Sequence, residues 1–164
     1  MEALEALVAR HATRWFQARP VPRAVLEKIV DAGRLAATAR NEQPWEFIVV
    51  TDPTRRRALA DLTDFGKFIA EAGACVVVIC RATTYYLEDG AAAAQNMLVA
   101  AAALGVQSCW VSGDKRPYAA AVLATVGAPA DHKLVALLPM GYEAQAVPRA
   151  PKRALESVLH WEQF

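Results

Sequence analysis

The chain has 164 residues, 55% of them hydrophobic, with 18 basic against 17 acidic side chains and a net charge of +1. That length supports one core rather than two, and the near-neutral charge argues against a general nucleic-acid or membrane-surface binder. The apolar fraction exceeds what one small core hides, which points to an oligomer interface.

Leu4, Leu7 and Val8 predict a short helix over Met1 to Ala9, leading into Arg10-His11-Ala12-Thr13-Arg14-Trp15-Phe16. Pro20 and Pro22 mark a turn. Arg23 to Leu35 carries a helical stripe of Val25, Leu26, Ile29 and Val30, and Ala36 to Pro44 reads as a loop or a brief helical extension. Trp45 to Val50 is rich in aromatic and β-branched residues and reads as a strand. After the Asp52-Pro53 turn, Thr54 to Asp64 is expected to be a helix capped by Asp52 or Thr54, with Arg55 to Arg57 on a solvated face. The run Cys75 to Cys80 is continuously apolar, as in a central strand covered on both sides.

Asp89 to Leu104 then predicts a helix of about four turns, rich in alanine, with Asp89 as its cap and Gly105 as its left-handed stop. It is apolar nearly all round, so it must be covered on most faces. Its flat alanine surfaces suit packing between two subunits as well as burial inside one domain. Ser108 to Val111 reads as a third strand ending at Ser112-Gly113, Pro117 to Val126 as a helix stopped by Gly127, and Lys133 to Met140 as a fourth strand. Beyond Gly141-Tyr142 the chain turns polar, with Pro148 and Pro151, and ends in a short apolar segment from Leu155 to Trp161. Such a tail has little of its own to fold around and is expected to wrap another part of the protein or a partner subunit. The sum is four strands and about five helices in one domain over residues 1–164, an α+β or α/β layered fold.

The three cysteines, Cys75, Cys80 and Cys109, are odd in number and lack CxxC spacing, so free thiols are expected and neither a disulfide framework nor a zinc site. The first residues include two glutamates and an early arginine rather than a basic-then-apolar leader, which makes the cytoplasm the expected location. No membrane span is expected. The alanine helix is shorter than roughly 18 to 20 residues and carries Gln95 and Asn96 mid-way.

The familiar catalytic sets are missing from the sequence. His11, His132 and His160 have no metal-ligand spacing, and there is no GxSxG elbow, Walker loop or GxGxxG fingerprint. By elimination, an organic cofactor that carries the chemistry itself is the economical reading. Arg10 and Arg14 offer bidentate forks for a phosphate, Lys152-Arg153 is a second basic cluster, and Asn41-x-Gln43-Pro44-Trp45 sets amides beside a rigid proline and a flat ring.

In combination, Arg10-His11-Ala12-x-Arg14-x-Phe16, Asn41-x-Gln43-Pro44-Trp45-x-Phe47, Asp89-x-Ala91-x4-Gln95-Asn96-Met97 and Gly105-Val106-x-Ser108-Cys109-Trp110 closely resemble the FMN-dependent nitroreductase family in order and spacing. The likeness runs on through Gly141-Tyr142 to Arg153. It implies an α+β flavoprotein with a mixed, largely antiparallel sheet flanked by helices. It also implies an intertwined homodimer with FMN at the subunit interface, embraced by the tail from about residue 145 to 164. Carried over residue by residue, it assigns Arg10, His11, Ala12 and Arg14 to phosphate and ring-edge contacts, and Arg153 to a further phosphate contact. Thr38, Ala39, Arg40 and Asn41 would reach the flavin from the partner subunit, and Gln43 is a further cofactor-binding residue. Val111, Ser112 and Gly113 would lie along the ring through backbone groups, one N–H lying near the flavin N5. No protein side chain need act as nucleophile.

The activity so implied is ping-pong hydride transfer, in which NADH or NADPH reduces the flavin and a small electron-poor acceptor such as a nitroaromatic or quinone takes the electrons. The same scaffold would serve a specialised flavin reaction such as reductive dehalogenation or small-molecule oxidation, or a flavin-binding module without turnover. Two residues depart from the family pattern. Ala12 stands where a serine is usual, removing a hydrogen bond of about 0.5–1.5 kcal/mol, and Ala37 replaces a frequent proline. Only short segments, Thr63 to Ala74 and Ala82 to Asp89, separate the Trp45 strand from the alanine helix, so no large substrate lid is expected. Phe65, Phe68, Tyr85 and Tyr86 are candidates to stack on an aromatic substrate, with packing as the plainer role.

Overall fold

The computed structural model describes residues 2–164; Met1, the start of the predicted first helix, lies outside the described residues. Helix α1 spans Ala3–Ala9 and is closed by a Glu2/Glu5 capping box. α2 is Arg23–Arg34, and a short 3-10 turn follows at Ala39–Asn41. β1 is Trp45–Val50, and α3 is Pro53–Leu62, capped as expected by Asp52, which accepts the Arg55 N–H at 2.8 Å. β2 covers Ala74–Arg81, α4 Tyr86–Ala103, β3 Gln107–Ser108, β4 Val111–Ser112, α5 Ala119–Thr125 and β5 His132–Gly141.

The sheet is antiparallel throughout these ladders, in the order β1-β2-β5-β3, with β4 also on β5. One isolated parallel bridge, Ala12 to Ser108, lies beside it outside the named strands. β2 is fully buried except at Arg81, and its alternation divides the core. Ala74, Val76, Val78 and Cys80 face α2 and α4, while Cys75, Val77 and Ile79 face α3 and α5. Helices therefore cover both sides of the sheet. The three cysteines are buried and free, as their number predicts.

Three differences from the sequence reading matter for the site. First, the predicted single strand Ser108 to Val111 is two pieces in one unbroken register: Cys109 N still donates to the Pro139 carbonyl at 3.2 Å, but Pro139 has no N–H to return the bond, and five strands result rather than four. Second, β5 carries a bulge. Val78 pairs Ala136 but Ile79 pairs Leu134, so Val135 stands unpaired and its carbonyl accepts the amides of Gly113 at 3.1 Å and Asp114 at 3.3 Å.

Third, α4 begins one turn earlier than predicted, at Tyr86, and Asp89 is not its cap. The alanine spacing then buries Gly90, Ala93, Ala94, Met97, Leu98, Ala101 and Ala102 against the sheet, α1 and α2. Elsewhere on α4, Gln95 and Asn96 are exposed, between half-buried Ala92 and Val99, and Asn96 Nδ2 donates to the Ala32 carbonyl of α2 at 3.1 Å. Gly105 and Gly127 stop α4 and α5 with φ of 75° and 68°, as predicted. The tail after β5 forms only a 3-10 turn at Leu155–Ser157, and every residue from Pro151 to Phe164 is exposed.

Candidate active site

The first motif is an extended strap laid along the β3 end of the sheet. Ala12 bridges Ser108, the Thr13 N–H donates to the Ser108 carbonyl at 3.1 Å, and Phe16 bridges Glu143. Gly141 makes this crossing possible, since a Cβ there would meet the Phe16 ring at 2.8 Å. His11 is half-buried and committed to the protein: Nδ1 lies 3.1 Å from the Ala9 carbonyl and Nε2 lies 3.0 Å from Glu143 Oε1.

Arg10 and Arg14 are different. Among the described residues neither guanidinium has a carboxylate partner, and Arg14 instead lies 5.9 Å over the Phe68 ring. Burial pushes the Cys109 thiol up, and the positive fields of Arg14 and Arg10 oppose that rise. The strap thus carries two cations without a carboxylate partner among the described residues, both near enough to Cys109 for their fields to act on its thiol. Such a donor set suits a phosphate.

The second motif forms a strained loop. Arg40, Asn41 and Gln43 adopt φ of 54°, 56° and 46°, a left-handed cluster that costs about 1–3 kcal/mol per residue and is found mostly where function needs it. Internal hydrogen bonds offset this. Asn41 N donates to the Thr38 carbonyl at 3.2 Å, Gln43 N to Thr38 Oγ1 at 3.3 Å, and Gln43 Nε2 to Asn41 Oδ1 at 3.0 Å. Two bonds tie the loop to the body: Arg81 Nη2 to the Glu42 carbonyl at 3.2 Å, and Ala39 N to Asp89 Oδ1 at 3.0 Å.

Val111 to Gly113 connects the two regions along β5. Val111 pairs Leu137 and Ser112 pairs Ala136, while the Gly113 amide is taken by Val135. A contact from Gly113 to a ring therefore uses another of its groups. Next to it, the Tyr86 hydroxyl donates to Asp114 Oδ1 at 2.6 Å, and this bond, followed by burial and the Asp114 charge, pushes the phenol up to about 12. Ser108 pairs Met140 and Ser112 pairs Ala136, so the arginine end and the bulge end lie about 13 Å apart at roughly 3.3 Å per residue.

Two grooves flank these elements, and neither gathers the predicted residues. A groove of about 950 Å3 between α2 and β1 includes Gln43 alone among them, and a second of about 700 Å3, lined by Arg19, Arg56 and Gly73, includes none. Arg153 is exposed in the tail and donates to the Ser157 carbonyl. Of the candidate aromatics, Phe65 is 81% exposed, Phe68 packs in the α3/α5 core and Tyr85 is exposed. Arg56 is half-buried and donates to the Thr51 carbonyl, so only its neighbours Arg55 and Arg57 occupy the solvated face expected for all three. Asp89, Tyr86–Asp114 and Glu143 acquire their roles from pairings 28 to 132 residues apart, for which sequence spacing gives no signal.

Comparisons with known proteins bear on the family and the fold. The nitroreductase family profile matches residues 7–76 and 67–142. A protein of Methanothermobacter thermautotrophicus, provisionally named NADH dehydrogenase/NAD(P)H nitroreductase, is 32% identical over 80 residues, 49% of this chain and 42% of that protein. The matches thus span less than half the length of such curated relatives. The structure of an FMN-dependent nitroreductase from Clostridium difficile superposes with a TM-score of 0.91 at 24% identity, over 98% of this chain and 99% of that one. A Bacteroides fragilis nitroreductase with bound FMN gives 0.83 at 24% identity, over 99% and 100%. With its sheet, its two-sided helical cover and a family match running from α1 to the end of β5, the chain belongs to the nitroreductase family.

Proposed function

We propose that the protein is a homodimeric FMN oxidoreductase that uses NADH or NADPH to reduce an electron-poor small molecule such as a nitroaromatic or quinone. The observation that carries this is the pair of guanidinium groups on the N-terminal strap, Arg10 and Arg14, which no carboxylate of the described residues neutralises. Arg10 and Arg14, joined by Arg153 from the tail, hold the phosphate. His11, Ala12 and the backbone of Val111 to Gly113 flank the ring, and Thr38 to Asn41 with Gln43 approach it from the partner subunit. Bound there, FMN supplies reversible two-electron chemistry between a nicotinamide and the acceptor. The protein fixes the phosphate by charge, keeps the strap and the bulged strand rigid, and needs no nucleophile of its own.

The dimer is supported by apolar surface left over in one chain. Leu4, Leu7 and Val8 of α1 are exposed, and Leu155, Val158, Leu159, Trp161 and Phe164 are exposed along a tail that a bond from Arg149 Nη1 to the Val8 carbonyl at 2.9 Å ties to α1. The tail embraces the partner in this reading. The test is a visible spectrum of purified protein under anaerobic conditions, before and after NADH or NADPH, with its mass in solution. Flavin bands that bleach in a dimer are expected. Bands that persist leave a flavin binder without turnover, and a colourless protein that ignores added FMN overturns the assignment.

A further inference from the structure

Asp89 is a buried carboxylate that the flavin reading does not use. It is only 4% exposed, and it sits in the first turn of α4 rather than at the cap position. Its own amide donates to the Tyr85 carbonyl in the helix, leaving the side chain free to reach out of it. Oδ1 accepts the Ala39 N–H at 3.0 Å across 50 residues, and Oδ2 has no hydrogen-bond partner in the chain. Burying a charge on one hydrogen bond is costly, so the position demands a reason beyond packing.

The loop supplies that reason. Ala39 directly precedes Arg40, the first of the three left-handed non-glycine residues, and the remaining loop bonds are internal apart from the one from Arg81 near its exit. Asp89 is thus the anchor at the loop's entrance. It cannot drift, because a Cβ on the adjoining Gly90 would already meet Val135 at 2.7 Å and Cys80 at 2.9 Å, which shows how closely α4 is seated on the sheet. A rigid helix start therefore sets where the strained loop begins.

We propose that Asp89 is a positioning residue for the cofactor site, holding the Thr38–Gln43 loop with Arg40, Asn41 and Gln43 left-handed so that it is already shaped for the flavin of the partner subunit. This rests on the flavin reading above. The hold on the loop is tested first in FMN-free protein, by amide hydrogen exchange at Ala39 to Gln43. Asp89→Ala is expected to speed exchange at Ala39 by about tenfold to a hundredfold, the worth of one charge-assisted hydrogen bond, while the β2 amides keep their protection. Asp89→Asn keeps an acceptor oxygen and is expected to stay within about threefold of the native protein. If Asp89→Ala does not fold, Asp89→Ser, whose hydroxyl stops short of Ala39, gives the same reading.

The link to the site is tested by FMN titration of the same proteins, with at least tenfold weaker binding for Asp89→Ala and rescue by Asp89→Asn. Unchanged exchange at Ala39 overturns the proposal outright. Faster exchange with unchanged FMN affinity overturns the role in the site. Native protein that binds no FMN defeats the flavin reading instead, and the exchange result then reports on the loop alone.

Discussion

His11 Nε2 and Glu143 Oε1 lie 3.0 Å apart across 132 residues of chain, pinning the N-terminal strap to the end of β5. The strap carries Arg10 and Arg14, so this pair sets where the two cations stand. Both side chains are largely shielded, at 15% and 20% exposure. Replacing either by alanine leaves the other partly buried without its partner and is expected to cost about 1–2 kcal/mol. Denaturant midpoints in a double-mutant cycle check this, with a coupling near zero counting against the pair.

Arg14→Ala and Arg10→Ala are each expected to weaken FMN binding by about tenfold to a hundredfold, the range for a lost hydrogen bond to a charged group. Neither guanidinium is tied to a carboxylate, so the fold loses little. Ala12→Ser, beside Ser108, is expected to act in the opposite direction and tighten FMN by about two- to tenfold. Fluorescence titration of FMN-free protein reads all three. Loss of thermal stability equal to the loss of affinity would assign the arginines to folding instead.

The Tyr86–Asp114 bond gives a pH signature. The phenol is raised to about 12 in the folded protein, above its unfolded value of about 10, so the native state holds that proton more tightly. The stabilisation is whole below pH 10 and is lost as pH rises from about 10 to about 12. Tyr86→Phe is expected to be less stable than the native protein at neutral pH and to converge with it above pH 12. Stability curves for the two proteins that run parallel across this window would refute the assignment.

Gly90 is a position where two backbone effects oppose. Alanine favours a helix interior over glycine by about 0.8–1 kcal/mol, yet a Cβ here would meet the branched Val135 side chain at 2.7 Å. Val135 is fixed by the bulge and by its carbonyl bonds to Gly113 and Asp114, so it has little room to yield. Overpacking of about 1–3 kcal/mol wins, and Gly90→Ala is expected to lower the melting temperature. A rise would show that α4 is seated more loosely than the distances state.

Local rules were enough for most elements. The apolar stripe of α2, the continuous run of β2 and the glycine stops of α4 and α5 lie in consecutive residues, and their periods predict what forms. The family, too, was legible, because its four motifs keep order and spacing along the chain. What spacing does not contain is which distant groups meet. Asp89 reads locally as a cap, since a carboxylate at a helix start is favoured there. Only packing shows the helix starting a turn earlier and that carboxylate spent on Ala39. The bulge at Val135, which diverts the Gly113 amide, arises from register between strands, and the break at Cys109-Trp110 lies opposite Pro139, which has no N–H to give to the ladder. Sequence thus determined the elements and the family through short-range periodicity. Tertiary structure decided which buried charges and amides pair, because burial obliges each polar group to find a partner wherever the fold provides one.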